Sequence, residues 1–197
     1  MNFLKEIKNE KIYGIIREDN PEFAYELALA YAKGGIKFIE LNAPIEVTRK
    51  VAQLDNVIVS QGGIITTNQA HQAINAGAKI ISSPIFQGNL VRFASCYKTF
   101  LIPSTTTPNE AYKAWQARTP LIKVYPVAEM GGVDYIKDMI KPMPFLNLMP
   151  CGYVKLTEIK DYLQAGAIAV GVGRELYDKN NFDEIVKTVK EVKKMIE

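Results

Sequence analysis

The chain has 197 residues, a mass of 22.0 kDa, 48% hydrophobic residues and a formal net charge of +3. This length suits one domain, with apolar content for a sizeable core and against disorder, and the basic excess is not gathered where it would track a phosphate backbone, so nucleic-acid binding is not expected. No apolar run reaches the length of a membrane helix, and two cysteines, Cys96 and Cys151, make no disulfide framework, which fits a soluble protein of a reducing cytoplasm.

In chain order, residues 1–8 mix charge with apolar residues every three or four positions and read as a short amphipathic helix rather than a secretory signal. A strand over 11–16 is followed by Arg17-Glu18-Asp19-Asn20-Pro21, which predicts a helix capped by Asp19 or Asn20. That helix, 22–33, ends at Gly34-Gly35, and a strand over 36–41 follows. The alternation continues with a helix over 45–54, a strand over 57–60, a loop at Gln61-Gly62-Gly63, a helix over 68–75 and a strand over 78–82 that turns near Ser83-Pro84. The single histidine, His71, falls on a helix surface, and without a His/Cys/carboxylate cluster no metal site is expected.

The second half keeps the rhythm. A helix over 88–96 precedes a strand over 99–102, and another helix opens after Thr107-Pro108. The stretch 120–126, Pro-Leu-Ile-Lys-Val-Tyr-Pro, reads as a buried strand closed by prolines, with one lysine inside it. A loop over 127–132 and a helix over 133–140 come next, then a strand over 145–149 and a helix over 155–164. A strand over 168–171 leads into Val172-Gly173-Arg174, and the Lys-rich end over 187–194 is the solvated side of a terminal helix.

One device repeats. Gly-Gly-Ile-Lys-Phe-Ile at 34–39, Ala-Gly-Ala-Lys-Ile-Ile at 76–81 and Ala-Gly-Ala-Ile-Ala-Val at 165–170 each run a helix end into a strand. The glycines at their second positions, Gly35, Gly77 and Gly166, are 42 and 89 residues apart, two and four units of about 21–22. Eight such units argue for a single (β/α)8 barrel (the TIM barrel) with a short N-terminal helix. An open doubly wound sheet is the runner-up, and the first strand–helix turn lacks its Gly-rich fingerprint.

Lys123 and Glu40 are the odd residues of this pattern, ionisable groups in otherwise apolar strands. Desolvation makes an ammonium costly, and a buried lysine can act as a nucleophile toward a ketone. By alternation Phe38 and Glu40 share one face, as do Leu121 and Lys123. On strands two and six of a barrel the two would converge from opposite walls near its mouth. A buried ion pair is the structural alternative; the catalytic reading is an amine nucleophile with a carboxyl proton shuttle.

These residues resemble the 2-keto-3-deoxy-6-phosphogluconate (KDPG) and 4-hydroxy-2-oxoglutarate (KHG) aldolases, from about residue 11 to 176. The likeness lies in Ile15-Ile16-Arg17, Gly34 to Glu40, Ser83-Pro84, Ile102-Pro103, Thr107-Pro108-Asn109-Glu110, Ile122 to Pro126 and Ala169 to Gly173. It implies a cofactor-free class I lyase on a trimeric barrel, with Lys123 forming the Schiff base and Glu40 as general acid/base. Arg17, Ser83, Pro84, Thr105 and Thr107 would then hold the carboxylate of a small 2-oxo acid, with Gly62 and Gly63 near the substrate. Gly152, Gly173 and Arg174 would line the phosphate end.

The sequence departs from the family at Pro44, where an arginine is usual, at Gln61-Gly62-Gly63, at Cys151-Gly152-Tyr153 and at Arg174. Tyr153 takes space from an anion, while Arg174 offers either a bidentate contact or a plain helix-start charge. The reacting pair is kept and the recognition shell is rewritten. A barrel reduced to a binding or scaffold role and a phosphosugar isomerase or epimerase are the competing functions.

Overall fold

The computed structural model of the protein describes residues 2–178 and 181–196. Helix α1 (Phe3–Glu10) precedes eight strands: β1 (Ile12–Arg17), β2 (Phe38–Asn42), β3 (Ile58–Gln61), β4 (Ile80–Ser83), β5 (Phe100–Thr105), β6 (Ile122–Val124), β7 (Leu148–Pro150) and β8 (Val170–Val172). Between and after them lie α2 (Pro21–Gly34), α3 (Ile45–Val51), α4 (Thr67–Asn75), α5 (Gly88–Tyr97), α6 (Pro108–Gln116), α7 (Gly132–Ile140), α8 (Ile159–Gln164) and α9 (Phe182–Ile196). All pairings are parallel, in the order β7-β6-β5-β4-β3-β2-β1-β8. The ring closes between β7 and β8 through a bridge from Cys151 to Gly171 and the bond from Ile168 N–H to Leu148 C=O at 2.9 Å.

Local chemistry accounts for the element ends. Asn20 is the cap of α2: its side-chain oxygen accepts from Glu22 N and Phe23 N, with Pro21 in the first turn. Thr66 and Thr107 form capping boxes with Gln69 and Glu110. The repeated helix-end device is one conformation used again: Gly35, Gly77 and Gly166 have φ of 101°, 102° and 103°. Each is followed by the same closing bond, Ile36 N to Tyr31 O, Ala78 N to Ala73 O and Ala167 N to Tyr162 O. Lys98 (φ 51°) and Arg118 (φ 61°) make the same turn without glycine.

Most strands start or end one to three residues from their expected bounds, and two elements differ in what fills the expected range. The strand predicted over 145–149 begins at Leu148, because residues 141–146 form turns in which Met143 N bonds Ile140 O and Leu146 N bonds Met143 O. Phe145 is left 44% exposed. The helix predicted over 155–164 is a 3-10 turn, Leu156–Glu158, running into α8.

Period-two alternation sorts the strands into two cores. Outward residues such as Ile39, Leu41, Ile122, Val124 and Val170 pack under the helices. Inward residues Tyr13, Phe38, Ile58, Ile80, Ile102, Leu121, Met149 and Ala169 fill the barrel, with Ile7 of α1 plugging its N-terminal end. The Tyr13 and Phe38 rings stack at 5.8 Å. The interior is therefore packed, and only its C-terminal end is available for chemistry.

Candidate active site

One step beyond that apolar layer, the next inward position on each strand carries Ile15, Glu40, Ser60, Ser82, Ser104, Lys123, Cys151 and Gly171. All but Ser60 line a cavity of about 590 Å³ open at the C-terminal ends of the strands. At its floor Lys123 Nζ donates to Glu40 Oε2 at 2.6 Å and to Ser82 Oγ at 2.9 Å. Glu40 is 3% and Lys123 5% exposed, so this ion pair is desolvated on both sides. Asn42 Nδ2 donates to Glu40 Oε1 at 3.1 Å, which fixes the carboxylate plane and leaves Oε2 to the amine.

Burial alone would raise the Glu40 carboxyl. The Lys123 charge, with hydrogen bonds from Lys123, Asn42 and Ser82, overcomes it and holds the group below its ordinary value. Glu40 is thus a carboxylate at rest. Beneath it the Tyr13 and Ser60 hydroxyls are fully buried without a partner in hydrogen-bond geometry among the described residues. Burial, then the nearby Glu40 charge, pushes the Tyr13 phenol well up. Cys151 is also enclosed, and burial raises its thiol to about 12. Gly171 makes room for it, since a Cβ there would overlap Cys151 Sγ.

Of the other residues singled out in the sequence, Arg17, Ser83, Pro84, Gly63, Gly152, Gly173 and Arg174 lie on the cavity wall. Arg17 is exposed at the end of β1, its backbone N and O bonded to the Tyr177 hydroxyl at 3.5 and 3.4 Å. Ser83 Oγ accepts from Ile85 N at 3.4 Å, shaping the turn after β4. Gly152 (φ 95°) lies so close to Tyr125 and Pro126 that a Cβ would meet them at 2.9–3.0 Å.

Thr105, Thr107 and Gly62 lie outside the cavity wall. Thr105 Oγ1 donates to the Lys123 carbonyl at 3.5 Å between strands, and Thr107 caps α6. Gly62 faces the Asn42 amide, where a Cβ would clash. Tyr153 is 73% exposed, turned toward solvent at the rim with φ of 56°. His71 is wedged edge-on against Phe93 and Tyr97, at 4.8 and 4.5 Å, far from this chemistry in the fold.

Sequence reasoning missed Ser82, Ser104, Asn42 as a carboxylate holder, Tyr125, Lys155 and Tyr177. The available signal was the two-residue step from Ile80 to Ser82 and from Ile102 to Ser104. Among the described residues no group of three or more His, Cys, Asp or Glu side chains is placed to hold a metal ion, and no helix is long and apolar enough to cross a membrane.

An enclosed amine bonded to a carboxylate at the mouth of a barrel can add to a carbonyl and shuttle the protons of that addition. Comparisons with known proteins agree with this chemistry. The family model described as KDPG and KHG aldolase matches residues 4–192. A 2-dehydro-3-deoxy-phosphogluconate aldolase of Haemophilus influenzae is 27% identical, covering 96% of this chain and 94% of its own length. One of Treponema pallidum is 23% identical over 80% of this chain and 77% of its own.

Among solved structures, the 2-keto-3-deoxy-6-phosphogluconate aldolase of Zymomonas mobilis with 3-phosphoglycerate superposes with a TM-score of 0.88 at 20% identity, over 98% of this chain and 96% of that one. The KDPG aldolase of Legionella pneumophila, holding pyruvate as a covalent carbinolamine, gives 0.87 at 22% identity, over 98% of both chains.

Proposed function

The chain belongs to the KDPG and KHG aldolase family, and from that premise we infer its reaction: class I, Schiff-base cleavage of a 2-keto-3-deoxy or 4-hydroxy-2-oxo acid to pyruvate and an aldehyde. The observation that carries this reading is the 2.6 Å contact between Lys123 and Glu40 on the floor of the cavity. A pair kept for stability alone would be a poor choice, since burying both charges costs about as much as their attraction returns.

In the proposed sequence Lys123 gives a proton to Glu40 and its amine adds to the C2 ketone. The C2 oxygen takes that proton and later leaves as water. The resulting iminium draws electrons from the C3–C4 bond as Glu40, or a water it holds, removes the C4 hydroxyl proton. Protonation of the enamine at C3 and hydrolysis release pyruvate and restore the amine. Arg17 and the Ser83-Pro84 turn are the proposed carboxylate holders, with Gly63 beside them. Gly152, Gly173 and Arg174, joined by Lys155 at the rim, are proposed for the far end of the substrate.

The same reading carries two proposals about the whole protein: it works in the cytoplasm and assembles as a homotrimer, which sedimentation equilibrium would reveal as a species of three chains. Activity is tested by following pyruvate release from KDPG and from 4-hydroxy-2-oxoglutarate. Turnover of one or both, abolished in Lys123→Ala, is expected. Turnover of neither, or turnover unchanged in that variant, overturns the reading.

A further inference from the structure

Imine formation by this site requires a second proton carrier, and the arrangement around Lys123 contains one. Resting Lys123 carries three N–H protons as an ammonium, and the iminium keeps one. The first leaves along the 2.6 Å bond to Glu40 Oε2. Once nitrogen has bonded to C2, the former carbonyl oxygen takes that proton, so Oε2 must face the C2 oxygen. The nitrogen is then positively charged with two protons, and one has to go before water can leave.

Glu40 Oε1 is engaged by Asn42, and among the described residues the other hydrogen-bond partner of Nζ is Ser82 Oγ at 2.9 Å. Ser82 is 2% exposed, so at rest its hydroxyl, not bulk water, is the group available at that position. Ser82 Oγ and Glu40 Oε2 are both bonded to Nζ, at 2.9 and 2.6 Å, so the hydroxyl and the carboxylate flank the same nitrogen; the hydroxyl is also among the groups that favour the Glu40 carboxylate.

We propose that Ser82 positions the Lys123 amine and relays its second proton to Glu40. Ser82 Oγ accepts a proton from the nitrogen of this N-protonated carbinolamine while its own O–H proton passes to the Glu40 carboxylate. The carbinolamine is then neutral and Glu40 protonated. Glu40 protonates the C2 hydroxyl, the C–O bond breaks, and the nitrogen lone pair forms C=N. Two nitrogen protons have become those of the departing water; serine and carboxylate return to their starting states. At rest the same contact, with that of Glu40, fixes two N–H directions and leaves the third position of Nζ toward the cavity.

This relay rests on the aldolase reading, and its test separates the two. The probe is pyruvate, with the imine trapped by borohydride in rapid-quench experiments on wild type, Ser82→Ala and Ser82→Thr. Loss of a proton-transfer group should slow imine formation in Ser82→Ala by about 100-fold or more. Its pH profile should also change shape, while Ser82→Thr, which keeps the hydroxyl, recovers most of the rate. In wild type, mixtures of H2O and D2O should give a curved dependence of the trapping rate, as two protons in flight require.

Adduct in wild type with an unchanged rate and pH profile in Ser82→Ala overturns the relay alone. No adduct in wild type overturns the aldolase reading and the relay with it. If Ser82→Ala does not fold, the wild-type isotope dependence decides, and a straight line contradicts the relay.

Discussion

Glu40 works under opposing pressures, and the balance at that one carboxyl sets two expectations. Burial favours its protonated form, whereas Lys123, Asn42 and Ser82 favour the carboxylate and prevail. A group whose folded pKa is depressed lends stability above its unfolded value, near 4.3, and loses it as pH falls through the lower folded value. The urea midpoint of wild type should therefore drop more steeply below about pH 4.5 than that of the uncharged double variant Glu40→Gln/Lys123→Met. At neutral pH Glu40→Gln alone should cost about 3–5 kcal/mol in stability, because it strands a buried charge, while the double variant should cost far less. Cys151 gives a third expectation. Burial holds its thiol up near 12 while Cys96 is exposed, so a thiol reagent at pH 8 should label Cys96 in the native protein and both cysteines only after denaturation. Rapid native labelling of Cys151 would mean that the floor of the barrel is open.

At the scale of elements, the helix-end turn explains why so much of the fold was legible. Gly35, Gly77 and Gly166 mark left-handed turns in which glycine carries no Cβ penalty, so three of the repeats announced themselves. The turns at Lys98 and Arg118 have the same closing bonds without glycine, so only their spacing betrays them. Lys98 is exposed there, and Lys98→Gly should stabilise the protein by roughly 0.5–1 kcal/mol, measured by urea denaturation. A destabilised variant would show that the lysine side chain contributes something the turn itself does not. The start of β7 was misplaced for a different reason. Phe145-Leu146 has strand composition, but residues 141–146 are spent in turns and the strand begins only at Leu148.

Across the whole molecule, β/α alternation places Glu40 and Lys123 on facing walls of the barrel although 83 positions separate them in sequence. Each was readable alone, as an ionisable residue at an inward position of an apolar strand. Ser82 and Ser104 were not, because serine is unremarkable in a strand and acquires meaning only once the neighbouring wall is known. Thr105 and Thr107 show the converse. Their hydroxyls looked suited to an anion, yet one spans two strands, a need that leaves no mark in sequence, and the other caps α6, which the Thr107-to-Glu110 spacing does mark.

The central claim is that Lys123 is the nucleophile. Its most direct test is to trap the protein with pyruvate and borohydride and locate the adduct by peptide mass mapping. The account predicts a single reduced pyruvyl adduct on Lys123, absent from Lys123→Arg. An adduct on another lysine, or none at all while pyruvate is still released from substrate, would contradict it.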